Sequence, residues 1–266
     1  MFYLDDKECV STLDLYISTA DTDRTYDATL PFFFASCQEI AGLHATEKGM
    51  GLKSMTEEEQ KTWMITREKI TFNYWPHWGE TIKMRSWPQK GFHLVCPRVI
   101  EAETEDGKSI FSSMSHWVVL DLARKRPVRP KEIEERLPVP SEDKHYIDPD
   151  IGKMRKYEDE EKLELFPIYY PSPCFFDVDY NRHINNVVYT RWIISALPDD
   201  FLLAHRIKEI DVQWVSQTFE HDKIYVESAI TEKKDDEVRI SQRIMRENED
   251  KSITLLFESS SLWIGK

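Results

Sequence analysis

The sequence predicts an α+β protein with two similar halves, each consisting of one long helix wrapped by a curved antiparallel β-sheet. Three observations predict this architecture. The chain has 266 residues, which is enough for two domains of about 130 residues that each bury a core. A helical segment followed by β-rich runs occurs twice along the chain. A charged stretch with several prolines separates the two copies.

The first half is predicted to contain one helix over residues 28–48. Its apolar side chains recur at the spacing of one helical face, and Gly49 and Gly51 follow as stop signals. Trp-Gly-Glu and Glu-Asp-Gly turns separate the extended segments that come next. These β-rich segments lie near residues 63–73, 80–88, 92–104 and 109–121. We therefore expect a helix followed by an antiparallel meander.

The second half repeats this order after an interruption. Residues 123–165 contain five prolines among many charges, which is typical of a linker that crosses a protein surface. An extended segment near 166–176 then leads into a helix at 186–197. Further β-rich segments lie near residues 205–216, 222–232, 236–247 and 252–264. The predicted organisation is a domain of residues 1–130, a linker of residues 131–165 and a domain of residues 166–266.

A cluster of polar residues directly precedes the second helix. Asp179, Asn181 and His183 alternate, so an extended segment would project all three from one side. Asn185 and Asn186 follow and are good N-cap types. Free N–H groups and the positive end of the helix dipole lie there, where they could polarise a carbonyl or hold an oxyanion. Histidine adds a proton carrier near neutral pH.

This arrangement indicates an active site, and the sequence alone leaves a structural alternative open. Asp179 and Asn181 could instead shape a turn, because Asp and Asn are ordinary turn residues. In that interpretation His183 would be a buried histidine with its hydrogen bonds satisfied.

The cysteines do not indicate a metal site. Cys9, Cys37, Cys96 and Cys174 are scattered, without zinc spacing or a dense disulfide framework, so reduced thiols are expected. Cys174 lies five residues before Asp179, and a nucleophilic thiol is one interpretation. The other is a small buried thiol, which is the commoner state of a lone cysteine.

The composition argues against several classes of protein. A net charge of −13 disfavours general nucleic-acid binding, which needs a basic surface to displace counterions. No apolar run approaches the roughly 20 residues that span a bilayer. The N-terminal residues lack a basic segment with an apolar core and lack an Arg- and Ser-rich character. A cytoplasmic location in a bacterium is therefore expected.

Residues 179–186 closely resemble the Asp-x-Asn-x-His-x-Asn-Asn signature of the fatty acyl–acyl carrier protein thioesterases of plant plastids and bacteria. Residues 63–67 (Trp-Met-Ile-Thr-Arg) resemble the family's Trp-x-x-Thr-Arg strand. Residues 75–80 (Trp-Pro-His-Trp-Gly-Glu) resemble its Tyr-Pro-x-Trp-Gly-Asp turn, and residues 115–120 (Ser-His-Trp-Val-Val-Leu) its Ser-x-Trp-Val strand. The order and spacing also agree, and the resemblance covers most of residues 5–264.

The resemblance implies a tandem double hotdog fold, which is a pseudo-dimer within one chain. It also implies hydrolysis of the thioester between a fatty acyl chain and acyl carrier protein. The stretch of the first half that corresponds to the signature, residues 21–28, keeps acidic residues but lacks the Asn-x-His. By resemblance, the C-terminal half supplies the chemistry and the N-terminal half supplies most of the acyl pocket.

The family's catalytic residues map here onto Asp179, Asn181 and His183. We expect His183 to deprotonate water or to assist its attack. Asn181 and nearby backbone N–H groups are expected to bind the carbonyl or position that water, and Asp179 to orient and stabilise the polar network. Direct attack by water and an acyl-enzyme on Asp179 both stay open at this point. Neither task requires a metal or an organic cofactor, and none is predicted.

One position departs from the family. The family places an acidic residue, often Glu, on a strand about 34 positions after the histidine, and this position is Gln217 here. Glutamine can position water but cannot act as a general base. Gln217 is therefore predicted to position water, with a structural polar contact as the alternative. Glu220 lies nearby, yet along a strand it would face the opposite side.

Two further groups of residues are candidates for substrate binding. The densest basic cluster, which includes Lys125 and Lys131, could meet an acidic carrier protein, or it could be a solvated linker start. Its predicted carrier-binding residues are Arg124, Arg126 and Arg129. An acyl tunnel could be lined by apolar residues of the first half, each of which could instead be core. The predicted lining includes Phe33, Phe34, Trp63 and Met64.

Two rival functions come from other interpretations of the same features. One is hydrolysis of acyl-coenzyme A with the same fold and a similar site. The other is a hotdog module that binds acyl groups or carrier protein and has lost activity with the Glu-to-Gln change. The sequence leaves the acyl chain length open, and it leaves open whether the chain forms a homodimer.

Overall fold

The computed structural model describes residues 1–5, 7, 9–141, 145–155 and 164–266. The chain divides into two compact units, Met1–Gly152 (unit 1) and Lys153–Lys266 (unit 2). Residues 142–144 and 156–163, which belong to the predicted linker, lie outside the described residues. Each unit contains a principal helix and antiparallel strands, as the sequence predicts.

Unit 1 contains the long helix and the meander of the first half, together with two N-terminal strands that the sequence analysis did not predict. Its α-helices are α1 (Leu30–Glu47) and α2 (Pro130–Glu134), and a 3₁₀ helix (Thr19–Asp21) and a short π-helix (Ser54–Glu58) also occur. Its strands are β1 (Phe2–Asp5), β2 (Val10–Tyr16), β3 (Lys61–Phe72), β4 (Thr81–Pro88), β5 (Cys96–Thr104), β6 (Ser109–Asp121) and β7 (Arg126–Pro127). They follow the antiparallel order β1-β2-β4-β5-β6-β3, and β7 pairs with β6.

Helix α1 lies within its predicted bounds. The Thr29 side chain accepts a hydrogen bond from the first turn at 3.4 Å, and Gly49 follows the helix with a φ of 68°. Phe33 packs edge-on against Phe72 and Phe111, with ring centroids 5.0 and 5.7 Å apart. This aromatic cluster joins α1 to strands β3 and β6.

The interior of unit 1 also contains polar side chains. Glu68 on β3 is only 2 % exposed and accepts a hydrogen bond from Ser113 Oγ at 2.7 Å. Burial raises the pKa of Glu68 to about 7. Arg98 on β5 is also buried and donates to Ser86 Oγ at 3.0 Å, with His44 Nδ1 of α1 at 3.3 Å. The side of the sheet that faces α1 is therefore not uniformly apolar.

Part of the predicted linker folds into unit 1. Ile133 and Leu137 of the linker are buried in one cluster with Val128 and Met50. The Trp87 indole also donates to a backbone carbonyl of the same predicted linker, that of residue 145, at 2.9 Å. The expectation that residues 123–165 only cross the surface is wrong for this stretch, because its few apolar side chains are buried against the core.

Unit 2 repeats the helix and the meander. Its helices are α3 (Asn186–Ser195) and α4 (Asp199–Ala204). Its strands are β8 (Glu164–Leu165), β9 (His205–Trp214), β10 (Lys223–Lys234), β11 (Glu237–Glu247) and β12 (Ile253–Gly265). They follow the antiparallel order β9-β12-β11-β10-β8. Within the described ranges, no helix is long and apolar enough to cross a membrane.

Of two local predictions for unit 2, one is wrong and one is confirmed. The segment near 166–176 is mostly irregular: it has one isolated bridge, between Tyr169 and Val226, and ends in the 3₁₀ helix Phe175–Asp177. Three prolines in this segment lack the N–H that a strand ladder requires. The predicted helix at 186–197 is confirmed as α3, which ends at Ser195, and α4 was not predicted.

Candidate active site

Residues 179–183 form a tight turn and not the extended segment that their alternation predicted. The Asp179 N–H donates to the His183 carbonyl at 2.8 Å, and the Arg182 N–H donates to the Asp179 carbonyl at 2.9 Å. Asp179 Oδ1 accepts the Asn181 N–H at 2.8 Å, and Arg182 has a φ of 63°. A short acidic side chain that bonds the backbone two residues ahead stabilises such a turn. Asp179 therefore shapes the turn, whatever else it does.

The turn leads directly into the N-terminus of α3. Asn185 is the N-cap residue, and its Oδ1 accepts the Val187 N–H at 2.9 Å. Its own N–H donates to the carbonyl of Asp177 at 2.8 Å, which ties the start of the helix to a residue two positions before the turn. The polar cluster thus lies at the positive end of a helix, as the sequence predicted.

Asp177 is a site residue that the sequence analysis missed. Its side chain is nearly inaccessible, at 1 % residue exposure, and accepts the Cys174 N–H at 3.0 Å. The other carboxylate oxygen pairs with Arg191 Nη2 of α3 at 2.5 Å. This buried carboxylate fixes the 3₁₀ helix and α3 on either side of the turn. The sequence contained a signal for this pair, namely an aspartate two residues before the signature and an arginine six residues after the N-cap.

His183 presents a partly buried imidazole. Its ring meets the edge of Phe219 at a centroid distance of 5.1 Å and an interplanar angle of 81°. Within the part of the chain that the structure describes, no group is hydrogen-bonded to either ring nitrogen of His183. Because the His183 side chain is only partly buried, the alternative of a buried histidine does not describe this residue.

A loop of residues 215–222, after β9, is joined to the turn. The Ile184 N–H donates to the Thr218 carbonyl at 2.9 Å, and the Tyr189 hydroxyl donates to Thr218 Oγ1 at 2.7 Å. Burial raises the pKa of Tyr189 to about 12, so this hydroxyl remains a neutral donor. On the other side of the loop, Arg246 of β11 pairs with Asp222 at 3.0 Å. These contacts hold Phe219 against the imidazole of His183.

Gln217 and Glu220 lie in this loop, so the expectation that they lie on a strand is wrong. Strand β9 ends at Trp214, and Gln217 is exposed. The Gln217 carbonyl accepts a hydrogen bond from Arg246 at 3.4 Å. Because the backbone is irregular here, the alternation that would place Glu220 on the opposite face does not apply. Gln217 is close to the site in sequence, two residues before Phe219.

Cys174 is exposed, which contradicts the expectation of a buried thiol. Its backbone contributes to the site by donating to Asp177, and none of the described contacts joins its sulfur to the turn. Exposure alone does not make this thiol a nucleophile.

The predicted acyl-binding and carrier-binding residues all belong to unit 1. Phe33 and Phe34 are buried in its core, whereas Trp63 and Met64 are partly exposed. The Trp63 indole donates to the Met50 carbonyl at 3.0 Å. The three arginines of the basic cluster are exposed: Arg124, Arg126 and Arg129.

An open cleft of about 520 Å³ lies beside the loop of unit 2. One wall consists of residues 170–173, which directly precede the 3₁₀ helix, and the other of residues 220–225. Tyr170 and Tyr225 approach each other across it, with ring centroids 6.3 Å apart. Residues 170–173 of one wall lie shortly before the turn that holds His183. Residues 220–222 of the other wall belong to the loop that contacts His183.

Comparison with known proteins identifies related sequences over most of the chain. The family model of the acyl-ACP thioesterase N-terminal domain matches residues 11–137, and that of the C-terminal domain matches residues 161–259. A chloroplast acyl-acyl carrier protein hydrolase of Cuphea viscosissima is 25 % identical over 185 residues, which cover 67 % of this chain and 42 % of that protein. Oleoyl-acyl carrier protein thioesterase 2 of Arabidopsis thaliana is 22 % identical over 215 residues, which cover 76 % of this chain and 56 % of that protein. The chain thus spans about half the length of these curated relatives.

Solved structures with the same fold cover almost the whole chain. A 12:0-ACP thioesterase from Umbellularia californica has a TM-score of 0.82 at 17 % identity, covering 97 % of this chain and 95 % of that one. An acyl-ACP thioesterase from Bacteroides thetaiotaomicron has a TM-score of 0.76 at 18 % identity, covering 98 % of this chain and 100 % of that one. The predicted tandem hotdog fold is confirmed.

Proposed function

We propose that this chain, which belongs to the acyl–acyl carrier protein thioesterase family, hydrolyses the thioester bond of fatty acyl–acyl carrier protein. The products are a free fatty acid and the carrier protein with its thiol. The observation that supports this most strongly is the setting of His183. Its accessible imidazole is held by a hydrogen-bonded turn directly before the N-terminus of α3.

In this mechanism a water molecule attacks the carbonyl carbon of the thioester while His183 accepts one of its protons. The C–S bond then breaks, and the sulfur leaves as a thiol after taking that proton from the imidazolium. The N-terminus of α3 favours the negative charge that develops on the carbonyl oxygen. Water is the only co-substrate of the thioester, and neither step requires a metal or an organic cofactor.

Asn181 and Asp179 have supporting roles in the proposal. The Asn181 amide binds the carbonyl oxygen or positions the attacking water. Asp179 holds the turn through its bond to the Asn181 N–H. The proposal gives Asp179 this structural role and has water attack the carbonyl directly, without an acyl-enzyme on this carboxylate.

Gln217 is proposed to position water near the imidazole. Its place two residues before Phe219, in the loop that contacts His183, supports this role. The glutamine side chain can donate and accept hydrogen bonds, but it is too weakly basic to take a proton from water. A mechanism that requires a carboxylate at this position is therefore not part of the proposal.

The substrate is proposed to reach the site through the cleft beside the loop. Its tyrosine and proline side chains suit the uncharged pantetheine part of the arm that links the acyl chain to the carrier. Among the predicted lining residues, the partly exposed Trp63 and Met64 fit contact with an acyl chain better than the buried Phe33 and Phe34. A bacterial cytoplasmic location and a homodimer stay predictions.

The carrier is proposed to dock on the exposed basic cluster, since acyl carrier proteins are acidic. Reversing its three charges should weaken turnover of the carrier-bound substrate much more than that of the coenzyme A thioester. The variant is Arg124→Glu, Arg126→Glu and Arg129→Glu. A control with the same change in net charge reverses exposed lysines of unit 2: Lys233→Glu, Lys234→Glu and Lys251→Glu. Equal losses on both substrates would favour an acyl-coenzyme A thioesterase.

The decisive test is free-thiol release from acyl carrier protein loaded with acyl chains of graded length. His183→Ala should reduce kcat by about 100-fold or more, because general-base catalysis contributes factors of this size. A coenzyme A thioester serves as the competing substrate. Tight binding of the acyl carrier without any hydrolysis by the native chain would refute the proposal and support the binding module.

A further inference from the structure

The turn that holds His183 has a counterpart in unit 1. The Asp23 N–H donates to the Asp27 carbonyl at 2.9 Å, and the Tyr26 N–H donates to the Asp23 carbonyl at 3.1 Å. Asp23 Oδ1 accepts the Thr25 N–H at 2.7 Å, and Tyr26 has a φ of 65°. Residues 23–27 therefore form the same turn as residues 179–183, hydrogen bond for hydrogen bond.

The surroundings of the two turns also correspond. The Ala28 N–H donates to the Pro76 carbonyl at 2.9 Å, just as the Ile184 N–H donates to the Thr218 carbonyl at 2.9 Å. The residue after each of these donors is the N-cap of the principal helix, which is Thr29 in unit 1. Each turn thus lies between a helix N-terminus and a loop to which it is hydrogen-bonded.

The two loops match in the same way. The His77 N–H donates to Glu80 Oε1 at 2.9 Å, as the Phe219 N–H donates at 2.9 Å to the carboxylate three residues after it. His77 therefore takes the place of Phe219, and Asp27 takes the place of His183. In unit 2 the imidazole of His183 on the turn faces the phenyl ring of Phe219 on the loop. In unit 1 the carboxylate of Asp27 on the turn faces the imidazole of His77 on the loop.

In unit 1 these two groups are in direct contact. His77 Nδ1 lies 2.9 Å from Asp27 Oδ1, and the Thr25 hydroxyl lies 3.2 Å from Asp27 Oδ2. The Asp27 side chain is 9 % exposed, whereas that of His77 is 46 % exposed. A buried carboxylate that binds one ring nitrogen orients the imidazole and directs its other nitrogen outward. The pair therefore has the form of an oriented general base.

Exposed aromatic side chains flank this pair. Tyr26 and Trp78 are 65 % and 50 % exposed, their ring centroids are 6.4 Å apart, and the Trp78 N–H donates to the Tyr26 carbonyl at 3.0 Å. Large aromatic rings that stay exposed beside polar groups are typical of surfaces that bind a ligand. The corresponding positions of unit 2 are the charged residues Arg182 and Glu220.

We propose that the Asp27–His77 pair is a second hydrolytic site, which acts on small acyl thioesters whose acyl group packs on Tyr26 and Trp78. Water attacks the thioester carbonyl carbon, and His77 Nε2 accepts a proton from that water. The C–S bond breaks, and the sulfur takes the proton and leaves as a thiol, so the products are a carboxylic acid and a thiol. Asp27 orients the ring and stabilises its protonated form.

The test uses the full-length chain in a background that lacks the unit 2 imidazole. Free-thiol release is measured for acetyl, hexanoyl and benzoyl thioesters of N-acetylcysteamine with His183→Ala, and with His183→Ala combined with His77→Ala or His77→Gln. Glutamine keeps a side-chain donor for Asp27 but cannot accept the proton. The matched control combines His183→Ala with His93→Ala, which removes an exposed histidine of the same unit.

His183→Ala should retain turnover above the uncatalysed rate, and both changes at His77 should lower that turnover by about 100-fold or to the uncatalysed rate. The His93→Ala control should not change it. The proposal is overturned if His183→Ala alone abolishes all hydrolysis, or if the residual rate survives both changes at His77. Hydrolysis of the carrier-bound substrate by His183→Ala is measured in parallel. Loss of that activity would support the unit 2 mechanism, independently of the result for the small thioesters.

Discussion

Replacement of the buried Glu68 should change how the stability of the chain depends on pH. Glu68 accepts a hydrogen bond from Ser113, and burial raises its pKa from 4.5 to about 7. Between these two values the folded chain keeps a proton that the unfolded chain has released. The free energy of unfolding therefore falls as the pH rises through this range, and the loss is complete above about pH 7.

The size of this loss follows from the pKa difference. At 1.36 kcal/mol per pKa unit, the shift from 4.5 to about 7 corresponds to about 3 kcal/mol. Glu68→Gln cannot ionise and can still accept the hydrogen bond of Ser113, so it should not show this loss. Burial also raises the pKa of the neighbouring Cys37 thiol well above its ordinary value, so this thiol stays neutral over the same range.

The assay is urea-induced unfolding of native and Glu68→Gln protein at several pH values from about 4.5 to about 8. The two should have similar stability at the acid end, and the variant should be more stable by about 3 kcal/mol at the alkaline end. Glu58→Gln removes an exposed carboxylate from the same unit and should follow the native curve. Parallel curves for native and Glu68→Gln protein would refute the reasoning.

Two further predictions concern the loop and the helix of unit 2. Arg246→Ala should lower kcat by about 10-fold, because the loop that holds Phe219 against His183 loses its ion pair with Asp222. Arg243→Ala is its control, since it breaks an ion pair of the same strand β11, at 2.7 Å to Glu227 of β10 and away from the loop, and should leave kcat unchanged. Equal effects would contradict the role of the loop. Asn185→Ala should cost about 1 kcal/mol of stability in urea unfolding, because the N-cap bond to Val187 is lost. Asn186→Ala, next to it but without a capping bond, should change stability by less than about 0.5 kcal/mol, and an equal cost for both would argue against the cap.

Much of the fold follows from local patterns in the sequence. The apolar spacing, Thr29 and the glycines after Glu47 define α1, and Asn185 defines the start of α3. The β-rich runs between turn sequences match β3 to β6 and β9 to β12 within a few residues. These features depend on neighbours in the chain, so the sequence is sufficient to predict them.

The linker and the site were harder to predict. Prolines and charges suggested that residues 123–165 lie on the surface, but Ile133 and Leu137 are buried, because a few apolar side chains are enough to anchor a segment. Alternation suggested an extended Asp-x-Asn-x-His segment. The actual turn depends on the bond from the Asn181 N–H to Asp179 and on the positive φ of Arg182, which periodicity does not encode.

The sequence by itself determined the identity of the chemical groups, their order, and the helix N-terminus beside them. Only the tertiary structure decided which groups meet. Phe219 reaches His183, and Arg246 reaches Asp222, because hydrogen bonds join separate segments of unit 2. In unit 1 the same backbone brings Asp27 to His77, fifty residues later in the chain. Such contacts depend on how strands and loops pack in space, and no local pattern specifies a pairing between residues so far apart.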